Sequence, residues 1–176
     1  MNVAPGGVVK PTHHTPGTRE DEPEQERGLG GHVVMLILYG VVVAVISALS
    51  ALTGRDLPGK MSTRDLLVTA VATHKLSRTL TKDAVTSPLR APFTEYDGDG
   101  GPGEVMESPK HSEGLRGSIG ELLTCPFCFD VWVITALTVG QVFAPRVTRV
   151  CVDALAALAG ADFLHLAYAK AQQIAG

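Results

Sequence analysis

The chain has few of the features on which enzymes and nucleic-acid-binding proteins build their sites. Aromatic residues make up only 5% of its 176 residues, so a large aromatic core is not available. The formal net charge is −3, whereas a nucleic-acid-binding protein usually carries a basic face, so we predict no nucleic-acid partner. No Ser-His-Asp pattern, phosphate-binding loop or dinucleotide-binding fingerprint occurs. The sequence therefore offers no catalytic residue and favours a protein without enzymatic activity.

Cysteine is also scarce, and two of the three cysteines lie close together in the sequence. Three cysteines do not make a disulfide framework, and they fit a reducing compartment or a small metal site better. Two of them lie in the unit Cys125-Pro126-Phe127-Cys128. Proline suits the first position of a helix, because its missing N–H would be unpaired there. The spacing therefore predicts that Cys125 is the N-cap of a helix and that Cys128 lies in its first turn.

This dithiol has three interpretations. It is a structural unit at the junction of a loop and a helix, a redox pair, or half of a metal site. The motif is similar to the active site of glutaredoxins, but there it follows a strand in a βαβ unit. Here it follows a flexible loop and a short apolar piece, Ile119–Leu123, and the next helix has the character of a membrane helix. Zinc prefers four ligands, so His74, His111 or Asp130, or a second chain, would have to complete a zinc site. The structural interpretation is our first choice.

Charge is absent from the segment 33–52, and this absence indicates a membrane helix. Twenty uncharged residues have the length of a spanning helix, and we predict one at 32–53. Further apolar helices are predicted at 126–144 and 147–169. A helix at 63–80 begins apolar and ends basic, so it either crosses the membrane or lies in its interface. The expected fold is an all-α membrane protein with three to four hydrophobic helices, and its expected partner is the lipid bilayer.

Two polar segments complete the organisation. Residues 1–31 have nothing to bury and are predicted to be disordered. Residues 83–124 contain four prolines and the glycine-rich run 97–103, so they are predicted to form a long flexible loop. Small residues every four positions, at Gly40, Ala44 and Ala48, allow another helix to approach and make a homo-oligomer possible. In the last helix Asp153 is expected to pair with Arg149, one turn earlier.

Four segments resemble a known family of bacterial membrane proteins, the domain of unknown function 1360. They read THKLSRTLTKD, SPLR, ELLTCPFCFDVW and GADFLHLAYA, and the resemblance covers residues 61–170. The resemblance implies a membrane location and no established activity. Asp130 lies in the first turn after the dithiol and is expected to reach water, and Asp162 and His165 share one helix face. The candidate structural polar residues are Arg78, Asp83, Arg90, Asp130, Asp162 and His165.

The distribution of basic residues predicts an orientation. Nine of the 15 Lys and Arg lie between Arg55 and Arg116, whereas only Arg146 and Arg149 separate the last two helices. Basic residues are retained on the cytoplasmic side of a membrane. We therefore expect a multi-pass protein of the cell membrane whose dithiol loop and C-terminus are cytoplasmic.

Overall fold

The computed structural model describes residues 29–55 and 59–175. The described chain is mainly helical, and its elements are α1 (Leu29–Leu52), α2 (Thr63–Thr81), a 3-10 turn (Ala84–Thr86), α3 (Ser87–Arg90), β1 (Thr94–Asp99), β2 (Val105–Pro109), α4 (Gly114–Thr124), α5 (Pro126–Phe143) and α6 (Pro145–Ala175). Most of the tail predicted to be disordered, residues 1–28, lies outside the described residues. Its last three residues, 29–31, already belong to α1.

Helix α2 occupies the centre, against α5 and α6. Its buried face carries a hydroxyl residue every four positions: Thr69, Thr73, Ser77 and Thr81. Two of these hydroxyls donate to the carbonyl one turn earlier, Thr73 to Thr69 and Thr81 to Ser77, both at 2.8 Å. Small side chains whose polar atoms are satisfied by their own helix allow neighbouring helices to approach closely. The apolar core of Ala72, Val133, Leu137 and Val152 lies between the same three helices.

The four long helices lie side by side, and some run parallel and others antiparallel to their neighbours. The end of α2 meets the start of α5, because the Ser77 hydroxyl donates to the carbonyl of Pro126 at 2.6 Å. The two helices are therefore antiparallel, and α6 returns alongside α2. Helix α1 runs beside α5, where the Tyr39 hydroxyl lies 2.9 Å from the Thr135 hydroxyl and the Tyr39 ring packs edge-on against Trp132. All four helices thus extend between the same two ends of the molecule.

The segment that joins α2 to α5 is folded, and this corrects the prediction of a long flexible loop at 83–124. Strands β1 and β2 pair antiparallel, with an irregularity between Tyr96 and Gly98. Helix α4 packs against this hairpin so closely that a Cβ on Gly120 would lie 2.9 Å from the carbonyl oxygen of Phe93. The glycines of the run 97–103 form the hairpin and its tip, where Gly103 has a φ of +77°. We refer to residues 82–124 as the cap, and its sheet also corrects the all-α assignment.

Apolar side chains lie mainly on the outside of the described chain. Thirty large hydrophobic residues are exposed, whereas the buried set contains ten polar or charged residues and only five hydrophobic ones. Three helical segments have the length and composition to cross a membrane, Gly30–Leu52, Pro126–Phe143 and Pro145–Ala175. The last is longer than the predicted helix 147–169. Gly40 of the small-residue stripe lies on an open face, because a Cβ placed there meets nothing within 4 Å.

Candidate functional site

The cap is built around one buried arginine. Arg90 ends the short helix α3 and is 1% exposed. Its guanidinium donates to both carboxylate oxygens of Glu107, from Nε at 2.7 Å and from Nη2 at 3.1 Å. It also donates to the carbonyls of Leu80 at 3.0 Å and Asp83 at 3.2 Å, and to the Thr86 hydroxyl at 2.7 Å. One side chain therefore joins the end of α2, the 3-10 turn and strand β2.

Glu107 is equally well satisfied. Besides Arg90 it accepts hydrogen bonds from the hydroxyls of Ser87 and Thr94. Burial alone would raise the pKa of Glu107, because it penalises the charged form. The hydrogen bonds from Arg90 and Ser87, the positive charge of Arg90 and the hydrogen bond from Thr94 outweigh that effect, and the pKa of this carboxyl lies below its ordinary value. Glu107 is therefore ionised at neutral pH and neutralises the buried arginine.

Two basic residues, Arg78 and Lys75, join the second half of α2 to its surroundings through partly exposed ion pairs. Arg78 binds Glu104 at the start of β2, with Nε at 3.0 Å and Nη2 at 2.6 Å from Oε1. Lys75 Nζ lies 2.8 Å from Asp162 Oδ2 of α6 and 3.5 Å from Asp83 Oδ2. Both bridges are partly exposed, so each contributes less than the buried pair. Together these ion pairs connect α2 to α6 and to the hairpin.

Four of the six predicted polar residues take part in these contacts, namely Arg78, Asp83, Arg90 and Asp162. Asp130 and His165 do not. The Oδ1 atom of Asp130 is buried and has no hydrogen-bond partner among the described residues, so the expectation that it reaches water is wrong for this atom. His165 is exposed on α6.

The acidic partners Glu104 and Glu107 and the cation Lys75 were missed by the sequence analysis. No local sequence pattern marked the two glutamates, because Glu107 lies 17 residues from Arg90 and Glu104 lies 26 residues from Arg78. The expected pair of Asp153 with Arg149 is not among the salt bridges of the described residues. The carboxylate of this helix that does pair is Asp162, whose partner lies on another helix.

The dithiol turn lies at the same end of the molecule. Cys125 is the N-cap of α5, as its spacing from Pro126 predicts, and its Sγ accepts the N–H of Cys128 at 3.3 Å. Both thiols are free, with Cys125 half-buried and Cys128 exposed. No group of three or more His, Cys, Asp or Glu able to hold a metal occurs in the ranges 29–55 and 59–175. His74, His111 and Asp130 therefore do not complete a zinc site with the two cysteines there.

Comparison with known proteins identifies the family. Residues 68–168 match the model described as "Protein of unknown function (DUF1360)". The chain belongs to this family. It is also similar to the "Sporulation protein YjcA" of Bacillus subtilis (strain 168), with 32% identity over 101 residues that cover 54% of this chain and 84% of the relative. No solved structure matches the chain.

The DUF1360 match contains the dithiol turn and the ion pairs Arg78–Glu104 and Arg90–Glu107. It begins within α2 and ends within α6, so the three packed helices and the cap form the family unit. Helix α1 precedes this unit.

Proposed function

We propose that this DUF1360 protein is a multi-pass integral membrane protein with a structural or interaction role, in which α1, α2, α5 and α6 each cross the bilayer and the cap is a folded extramembrane domain. The observation that supports this most is the distribution of side chains, since the described residues expose apolar side chains and bury mainly polar ones. A soluble protein does not expose thirty large hydrophobic side chains while it buries mainly polar ones. A bilayer would cover those side chains.

Helix α2 supports the proposal in its own right, although its composition alone does not select it as a span. Its outward face exposes Leu66, Leu67 and Val71, whereas its hydroxyl residues face α5 and α6. A helix lying in the interface would turn its polar face to water. We therefore infer that α2 crosses the bilayer with its apolar face toward lipid. An even number of spans then places both ends of the described chain on the side of the cap.

We propose that the cap side is cytoplasmic, because more Lys and Arg lie at that end of the helices. The difference between the two ends is smaller than the count along the sequence indicates. Three of the nine cations between Arg55 and Arg116 lie at the opposite end of the helices: Arg55, Lys60 and Arg64. The cap end carries seven of the described cations: Lys75, Arg78, Lys82, Arg90, Lys110, Arg116 and Lys170. The other end carries five: Arg55, Lys60, Arg64, Arg146 and Arg149. The excess still favours a cytoplasmic cap.

Paired cysteine labelling tests the spans and the orientation together. Single cysteines at Lys60 and at Ser112, in a chain whose native cysteines are serine, mark the start of α2 and the cap that follows it. We expect an impermeant maleimide to label Lys60→Cys in intact cells and Ser112→Cys only after lysis. Labelling of both positions from the same side would show that α2 does not cross the bilayer. Labelling of Ser112→Cys alone in intact cells would reverse the orientation.

We propose that the dithiol is structural and acts through the helix start. Cys125 caps α5 through its sulfur, and a serine hydroxyl caps a helix at least as well. Cys125→Ser should therefore retain normal yield and thermal stability in detergent, whereas Cys125→Ala should lose about 0.5–2 kcal/mol. A zinc site shared between two copies predicts that serine is as damaging as alanine, and equal losses in the two variants would favour it. A redox pair predicts that Cys125→Ser folds normally and loses only the ability to form a disulfide under oxidant.

A further inference from the structure

A polar cleft lies at the end of the helices away from the cap. It has a volume of about 630 Å³ and is bordered by the start of α2, the end of α5 and the start of α6. We refer to it as the distal cleft. Its volume is in the range of small-molecule sites, and its lining includes the apolar side chains of Val68 and Val152. Val152 is buried, so the cleft has an apolar wall beside its polar one.

Three cations line this cleft: Lys60, Arg64 and Arg149. None of their side chains makes a hydrogen bond or ion pair with any residue in the ranges 29–55 and 59–175. At the cap end, three of the seven described cations, Lys75, Arg78 and Arg90, are instead paired with carboxylates. Three unpartnered cations at one cleft favour an anionic ligand.

Two carboxylates also line the distal cleft, and they differ in their contacts. Asp65 accepts a hydrogen bond from the Ser62 hydroxyl at 2.8 Å and so belongs to the start of α2. Asp153 has no ion pair with a described residue, although Arg149 lies one turn before it. The lining charge is therefore positive by one, and Asp153 reduces the attraction for an anion.

The position of the cleft indicates where the anion comes from. Exposed apolar residues adjoin it on both helices, Leu66 and Leu67 on α2 and Val147 and Val150 on α6. If these helices cross the bilayer, the cleft lies at the level of the lipid headgroups. Guanidinium groups bind phosphate oxygens through two parallel hydrogen bonds.

We propose that the distal cleft binds the phosphate of an anionic phospholipid headgroup, with Arg64 and Arg149 as the donors and Lys60 as an additional cation. The proposal rests on the proposed membrane spans. The labelling of Lys60→Cys and Ser112→Cys tests those spans without any added lipid, so failure of the spans and failure of the lipid site give different results.

The test uses the full chain in an uncharged detergent, with phosphatidylglycerol or phosphatidylcholine added at equal mole fraction. Retention of lipid is measured by native mass spectrometry, and thermal unfolding is followed in parallel. We expect phosphatidylglycerol to be retained and to raise the midpoint of unfolding more than phosphatidylcholine does. Arg64→Gln and Arg149→Gln should each weaken retention about fivefold, the effect of one basic residue at an anionic membrane surface. Asp153→Asn should strengthen it.

Arg146→Gln is the matched control, because Arg146 is an exposed cation at the start of α6 that does not line the cleft. It should leave retention within twofold of the wild type. Equal losses in Arg146→Gln and Arg149→Gln would show general surface attraction and overturn the cleft site. A third sample contains inorganic phosphate instead of lipid. If phosphate alone raises the midpoint of unfolding as much as phosphatidylglycerol does, the ligand is not the lipid. Because Arg64 and Arg149 have no partner among the described residues, both variants should unfold at the wild-type temperature without lipid.

Discussion

Replacement of Glu107 by glutamine tests whether the buried ion pair holds the cap together. The substitution keeps the shape of the side chain and removes its charge. Arg90 then loses one of its two acceptors on this residue and faces an amide N–H₂ group instead. Breaking a buried pair in this way leaves an uncompensated charge and costs about 3–5 kcal/mol. Glu107→Gln should therefore destabilise the cap by an amount in that range.

Hydrogen exchange of the backbone amides of β1 and β2 measures this loss locally. If those amides exchange through opening of the cap, a loss of 3 kcal/mol accelerates exchange about a hundredfold. Glu95→Gln is the control, because Glu95 is an exposed glutamate of β1 with no side-chain contact among the described residues. Its exchange rates should stay within a factor of about two to three of the wild type, since isolated surface substitutions change stability by less than about 0.5 kcal/mol.

The same pair predicts how the cap responds to acid. Because the pKa of Glu107 is lower in the folded chain than its ordinary value near 4.5, its stabilising effect is fully present above that value. It is lost as the pH falls from about 4.5 through the folded pKa. Exchange in the hairpin should therefore accelerate on acidification in the wild type, and Glu107→Gln should lack this component. A Glu107→Gln protein within 1 kcal/mol of the wild type, or with the same acid profile, would refute the argument.

Two further predictions concern the helices. Gly140→Ala should destabilise the contact of α5 with α6 by about 1–3 kcal/mol, because its Cβ would lie 2.5 Å from Thr148 Oγ1, whereas Gly160→Ala has open space and should be neutral or stabilising by up to about 1 kcal/mol. Thermal unfolding in detergent compares the two, and equal effects would contradict the packing. Asp162→Asn should cost about 1 kcal/mol or less, since Asp162 is partly exposed and Lys75 keeps Asp83 nearby. A loss well above 2 kcal/mol in the same assay would show that this bridge is not a surface pair.

Local patterns predicted the helices and the dithiol turn well, because the information lies within a few residues. An uncharged run of twenty residues indicates α1, and Pro126 after Cys125 indicates the start of α5. The ion pairs of the cap could not be obtained in this way. Arg90 and Glu107 are 17 residues apart, and Arg78 and Glu104 are 26 apart.

Residues 83–124 are rich in glycine, proline and charge, and such a composition predicts a flexible loop. The burial of so few apolar side chains cannot offset the conformational entropy that the chain loses on folding. Here one buried ion pair, Arg90–Glu107, joins the elements of the cap through its hydrogen bonds, although the segment has few apolar side chains to bury. The expected Asp153–Arg149 pair did not form, although the two residues lie one turn apart. Spacing along one helix identifies possible neighbours, but both side chains border the distal cleft without an ion pair to any described residue.

The placement of α2 depends on reading its small hydroxyl residues as an interior face. In a soluble helix, Thr69, Thr73, Ser77 and Thr81 would mark the side that faces water. Here they are buried against α5 and α6, while Leu66, Leu67 and Val71 are exposed. If α2 crosses the bilayer as proposed, hydrophobicity cannot drive the helices together, and close packing of small residues and hydroxyls would replace it. The basic end of α2, with Lys75 and Arg78, then follows from its neighbours, because the carboxylates of α6 and the cap receive those charges. A helix of modest hydropathy thus becomes the centre of the bundle because three of its buried hydroxyls and both of these basic side chains have partners.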